Sequence, residues 1–213
     1  GRMRILMMIH RLADNSPYCF YVHKQAKALR EQGHDVTVIS CVGTMPMMKR
    51  LRPALAQTDK RTPKADVIDG IPVYFPRCLT LGNAGEKLLG GYPMYRAALP
   101  IARKLHDEKP FDVIHAHMLP REGHAGRLLG RALGVPVALT VHGTDVFHYF
   151  IPGQTPWKRN IETAQNVDAL MAVSSLLLSR VAPYRGEGKI SRVVQNGVDL
   201  SLVPKNEARR PRS

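Results

Sequence analysis

The strongest constraint on this chain is an alternation: short apolar runs suited to buried strands recur between segments of helical period. The first run is residues 4–10, R-I-L-M-M-I-H. After a turn-rich loop at 11–17, a helical pattern passes through Phe20, His23, Lys24, Ala26, Lys27, Leu29 and Arg30 and stops at Gly33. Glycine just past the last periodic residue is a common helix stop. A β-branched run, D-V-T-V-I-S at 35–40, follows at once, so the first 40 residues read as a βαβ unit. A strand that is apolar at successive positions is covered on both faces, the condition of a parallel sheet.

The same order returns along the chain. A strand at 111–116 leads to a helix at 121–133 and a strand at 135–141; a helix at 157–166 leads to a strand at 168–173, a helix opening at Ser174 or Ser175, and a short strand at Val193 and Val194. Repeated units of this kind, joined by right-handed crossovers, predict an α/β, Rossmann-like doubly wound parallel sheet with helices on both faces. Residues 44–66 break the rhythm with Pro46, Pro53 and Pro63 and with Lys49, Arg50, Arg52, Lys60, Arg61 and Lys64, and read as a long mobile loop. Residues 71–75, I-P-V-Y-F, read as an extra or edge strand, because Pro72 has no ladder donor.

Composition removes several classes. Over 213 residues, 44% hydrophobic and 23% charged content is ordinary for a globular chain, which argues against disorder, collagen and coiled coil. Every apolar run falls well short of the roughly 18 residues that span a bilayer, and no export-signal pattern is visible, so the expected location is cytoplasmic. Cys19, Cys41 and Cys78 are odd in number and lack zinc-site spacing, consistent with reduced thiols. The outlier is charge: 31 Lys and Arg against 17 Asp and Glu leave +14. That excess implies an anionic partner, and a membrane face, a phosphorylated small molecule or nucleic acid would each satisfy it. One Trp and 6% aromatic residues leave little for base stacking, so nucleic acid is not the expected partner.

In an open parallel sheet, ligands bind beyond the carboxyl ends of the strands, so the residues there carry the functional information. They are polar here: residues 10–18, including Ser16 and Tyr18; His115 and His117; His142, Gly143, Thr144 and Asp145; and Asn196 and Gly197. No G-x-G-x-x-G follows the first strand and there is no G-x-x-x-x-G-K-S/T, which removes the main support for a dinucleotide cofactor or a P-loop. His115 and His117, read as pointing to opposite faces, would be a poor pair for one metal. Gly143 would let backbone approach a ligand beside His142, with Thr144 and Asp145 as hydroxyl and carboxylate partners. The other reading makes Gly143 a simple turn and Asp145 a helix cap.

Five fragments taken together resemble the N-terminal domain of family 4 glycosyltransferases: M-R-I-L-M-M-I-H at 3–10, S-P-Y-C-F-Y-V-H-K at 16–24, F-D-V-I-H-A-H at 111–117, T-V-H-G-T-D at 140–145, and V-V-Q-N-G-V-D at 193–199. The resemblance implies the N-terminal, acceptor-side half of a GT-B fold at 1–200, a linker beginning at 201–213, and a donor-binding domain beyond it. It implies retaining transfer from a UDP- or GDP-linked sugar to a saccharide, lipid-linked or phosphorylated acceptor, with no metal or other cofactor. His142 would be the catalytic residue, touching the donor sugar; Gly143, Thr144, Asp145, Ser16, Asn196 and Gly197 would line the substrate site; and Tyr18 and His117 would face the acceptor. This half alone would be inactive. The basic loop would bind a phosphorylated acceptor or rest peripherally on the anionic inner face of the membrane. The first loop departs from the family in placing Cys19 or Phe20 where a small residue is usual. Two other classes remain open at this point: a nucleotide-sugar epimerase-like Rossmann domain and a basic nucleic-acid-binding module.

Overall fold

The computed structural model describes residues 1–10, 20–44 and 62–197. Ser16, Tyr18, Cys19 and the loop charges at Lys49, Arg50, Arg52, Lys60 and Arg61 lie outside the described residues.

In chain order the described elements begin with β1 (Arg4–His10), α1 (Phe20–Glu31), β2 (Asp35–Thr44), β3 (Ala65–Ile68), β4 (Ile71–Tyr74) and β5 (Arg77–Leu79). Two helices follow, α2 (Gly82–Leu89) and α3 (Tyr92–Glu108), then β6 (Val113–His117), a π-helical turn (Leu119–Gly123) and α4 (His124–Leu133). The remainder is β7 (Val137–Val141), α5 (Thr144–Tyr149), α6 (Trp157–Asn166), β8 (Ala169–Ala172), α7 (Ser175–Val181), a 3-10 turn (Ala182–Tyr184) and β9 (Ile190–Val193).

The sheet order is β3-β4-β2-β1-β6-β7-β8-β9, with β5 paired to the end of β2. All these pairings are parallel except β3 with β4. The chain moves outward from β1 through β2 to β4, then returns to the other flank of β1 at β6 and moves outward again to β9. Strand order therefore reverses between β1 and β6, and a crevice opens at the carboxyl end of such a switch point.

Period-2 alternation divides the core. Ile5, Met7 and Ile9 of β1 pack with Val22 and Ala26 of α1. Leu6 and Met8 pack on the other face, with Met94, Ala98 and Ala102 of α3 and Leu129 of α4. These strand side chains are almost wholly buried, and each contributes about 1.5–3 kcal/mol of transfer free energy.

Three sequence expectations change. The strand at 71–74 is interior, and the edge is β3, whose residues are mostly exposed. Pro72 is tolerated because parallel pairing of β4 with β2 starts only at Val73. The helix expected at 121–133 is preceded by the π-helical turn, and α-helix begins at His124. Helices α2 and α3 were not expected. Pro93 falls in the first turn of α3, where it needs no hydrogen-bonded N–H, and Met94, Ala98 and Ala102 form the buried stripe of a helix that runs on through Pro100. Among the described residues no helix is long and apolar enough to cross a membrane.

Candidate functional site

Two loops meet at the carboxyl ends of β6 and β7, beside the switch point. The first leaves β6 through Met118, whose φ of 79° is rare for a residue with a side chain, and enters the π-helical turn closed by the Gly123 N–H donating to the Met118 carbonyl at 2.8 Å. Such backbone costs of order 1–3 kcal/mol and is held only where the surroundings fix it. The second loop leaves β7 through His142 and Gly143. Gly143 has φ of 134°, a value that glycine alone adopts without strain.

Asp145 joins the loops. Its side chain is fully buried; one carboxylate oxygen accepts the Leu119 N–H at 3.0 Å, and the other accepts those of His142 at 3.0 Å and Gly143 at 2.8 Å. Burial pushes its carboxyl upward from the ordinary value, partly offset by these backbone donors. Gly143 thus makes a demanding turn, and Asp145 ties backbone donors from two loops instead of capping α5, whose N-cap has no side-chain hydrogen bond. Asp145 positions His142, and its oxygens are already engaged.

His142 lies over a short stack of imidazoles. His117 Nδ1 and His142 Nε2 are 3.1 Å apart, the His115 and His117 ring centroids are 4.1 Å apart, and His115 Nε2 meets the Thr140 hydroxyl at 2.8 Å. The expectation that His115 and His117 point to opposite faces is wrong, because residues two apart on a strand share a face. His117 is wholly buried, so it backs His142 instead of facing solvent. The Tyr21 ring, in the first turn of α1, lies 4.5 Å from the His142 ring. The start of α1 and the β7 loop therefore meet on one rim.

The electrostatics favour neutral rings. Burial holds His142 and His115 down to about 4, and His117 well below the ordinary histidine value, with neighbouring imidazoles adding to the effect on His115 and His117. Glu122, buried in the π-helical turn, pulls His142 weakly the other way. In the neutral pair, only one proton lies between His117 Nδ1 and His142 Nε2. One of the two outer atoms, His142 Nδ1 and His117 Nε2, is then an N–H and the other a lone pair. Both outer atoms are buried and have no hydrogen-bond partner among the described residues. The His117 pair, the Tyr21 ring and the Asp145 tie on its backbone hold the His142 ring in one place.

The other candidates fall in different places. Thr144 is exposed at the start of α5. Asn196 and Gly197 are exposed beyond β9, on the same rim but two strands from β7. Ser16 and Tyr18 lie outside the described residues. Residues not singled out from sequence are Tyr21, Met118 and Glu122. The period-2 rule applied to V-I-H-A-H would have found the imidazole stack; only tertiary contacts reveal the others. No group of three or more His, Cys, Asp or Glu side chains among the described residues could hold a metal ion.

Comparison with known proteins bears on the fold and the family. A Bacillus subtilis (strain 168) protein, TuaC, whose name describes a teichuronic acid biosynthesis glycosyltransferase, is 29% identical over 189 residues, covering 86% of this chain and 46% of TuaC. This chain thus spans about half the length of that relative. Anabaena Alr3699/HepE, solved with UDP and glucose, superposes with a TM-score of 0.54 at 17% identity, covering 94% of this chain and 46% of HepE. The UDP-N-acetylglucosamine 2-epimerase of Rickettsia bellii gives 0.51 at 9% identity, covering 90% of this chain and 44% of the epimerase. The structural likenesses establish the Rossmann-like domain of a GT-B fold, which transferases and epimerases share. The sequence profile of Glycosyltransferase Family 4 matches residues 20–202, most of the length, and the chain belongs to that family.

Proposed function

We propose that this domain is the acceptor-side half of a retaining glycosyltransferase, which moves a hexose from a nucleotide-sugar to a hydroxyl of a saccharide, lipid-linked or phosphorylated acceptor. The observation that carries the reading is His142, presented at the switch-point rim by the Gly143 turn and the Asp145 tie and backed by neutral His117. A fixed, neutral imidazole hydrogen-bonds a sugar hydroxyl without adding charge, and a donor already in place needs no reorganisation as the transition state forms. Asp145 holds the loop, and His117 sets which nitrogen of His142 carries the proton.

HepE was solved with UDP and glucose and also with UDP-glucose, which supports a uridine nucleotide donor for this relative, with a GDP-sugar as the other candidate. Charge stabilisation at the leaving phosphate belongs, in this reading, to a second domain, as the roughly doubled length of the relatives supports. No metal or cofactor is required. The net charge of +14 supports peripheral contact with an anionic membrane; retention on anionic vesicles at low salt and release at high salt tests it.

An epimerase is the second reading, since 2-epimerases share this fold. One experiment separates the two. Radiolabelled UDP- and GDP-sugars are offered to the two-domain protein and to this 213-residue chain, with and without a saccharide acceptor, and the product anomer is read by NMR. Acceptor-dependent product of retained configuration, formed only by the two-domain protein, is expected. Isomerised donor without acceptor would replace the transferase by the epimerase, and transfer by the 213-residue chain would overturn the division of labour.

A further inference from the structure

The rim carries a second concavity, on the face of the sheet covered by α3. It is a cavity of about 260 Å³ between the end of β5, the whole of α2, the start of α3 and the π-helical turn. Its walls are largely aliphatic: Leu79, Leu81, Leu89, Pro93 and Met94. Around it Leu81 is 56% exposed, Leu88 71% and Tyr92 49%, an apolar collar of the kind that marks binding surfaces.

Charge at the base selects against an anion. The Arg121 guanidinium, mostly buried, lies 3.6 Å from Glu86 and 3.6 Å from Glu122, so its charge is already matched by two carboxylates. A phosphate or carboxylate would have to displace one of them, so the pocket disfavours an anionic group. The close fit of α3 against the π-helical turn depends on Gly91, where a Cβ would stand 1.9 Å from the Arg121 carbonyl oxygen. The pocket and the histidine site thus share one structural piece: Arg121 lines the pocket, and the next residue, Glu122, acts on His142.

We propose that this pocket receives the first aliphatic segment of an amphiphilic acceptor, whose uncharged hydroxylated head reaches across the π-helical turn to His142. The proposal rests on the transferase reading and names its acceptor class. The volume lies just below the range of whole-ligand pockets, so it suits part of a chain and leaves the remainder to the exposed collar.

The test is a titration of the 213-residue chain with methyl, hexyl and octyl β-D-glucosides, each below its micellar concentration, following the ¹³C-methyl signal of Met94 assigned with Met94→Leu. Affinity is expected to rise at least threefold for every two added methylenes, because each buried methylene adds favourable transfer free energy. Leu81→Asp, at an exposed wall position that leaves the core intact, should weaken octyl glucoside about tenfold. Leu176→Asp, at a similarly exposed leucine on α7, which contributes nothing to the pocket, should leave affinity unchanged. Equal affinity for methyl and octyl glucosides would show a sugar subsite and overturn the proposal. So would a Met94 signal indifferent to all three, or equal weakening by both aspartates. If the two-domain protein transfers sugar while the chain-length dependence is absent, the pocket assignment falls and the transferase reading stands.

Discussion

The two faces of β6 and β7 differ in what they bury. On one, Ile114, Ala116, Leu139 and Val141 are apolar and pack under α3 and α4. On the other, His115, His117 and Thr140 are buried just as deeply but are polar. Burying polar groups without full hydrogen bonding costs stability, and two ring nitrogens in this stack have no partner among the described residues. Packing accounts for the first face. It does not account for the second, which is explained by holding the His142 ring in one place and one charge state.

The comparison breaks most easily on the apolar side. Leu139→Ala should cost the most, about 2–5 kcal/mol in urea denaturation, because a wholly buried leucine leaves a cavity. A cost below 1 kcal/mol would mean that this face is not the core. Asp145→Ala should come next, at about 3 kcal/mol, since three backbone N–H groups lose one charged acceptor. It should also abolish transfer by the proposed two-domain transferase. If stability stays within 1 kcal/mol of wild type, the two loops are not tied through this carboxylate.

The pH dependence sharpens the contrast. His115, His124 and His142 are held down to about 4 and His117 well below its ordinary value, each chiefly by burial, against about 6.5 in the unfolded chain. Below pH 6.5 the unfolded chain binds protons that the native imidazoles refuse, so stability falls as pH drops from 6.5 towards 4. Denaturation midpoints should show this slope, and His117→Phe should make it shallower. A midpoint flat across that interval would mean the rings are solvated. His117→Phe should have the smallest effect on stability at pH 7.5, about 1 kcal/mol or less in either direction, because removing the unpartnered Nε2 offsets the cost of leaving His142 Nε2 without its partner. Its transfer rate should nonetheless fall, with the product anomer unchanged. An unchanged rate would leave the polar face without a function.

What the sequence disclosed follows from physical range. Strands β1, β2, β6, β7 and β8 were legible as short, mostly apolar runs between helical segments, and α1 because its stripe ends at Gly33. The His142-Gly143-Thr144-Asp145 turn stood out as a candidate because glycine, carboxylate and imidazole stand in sequence together. Helix α3 was hidden because Pro93 and Pro100 resemble breakers, although one is at the helix start and the buried stripe through Met94, Ala98 and Ala102 outweighs the other. The role of Asp145 had two local readings, and only the contact with Leu119, 26 residues away in sequence, shows that it serves both loops. The Tyr21 contact with His142 likewise depends on which strands are neighbours, and no local pattern encodes it.

The most direct measurement is the steady-state transfer rate of His142→Ala in the proposed two-domain transferase, taken beside its urea midpoint. A fall in kcat of at least tenfold with the midpoint within about 1 kcal/mol of wild type is the expected result. An unchanged kcat in a folded variant would contradict the placement of this imidazole against the donor sugar.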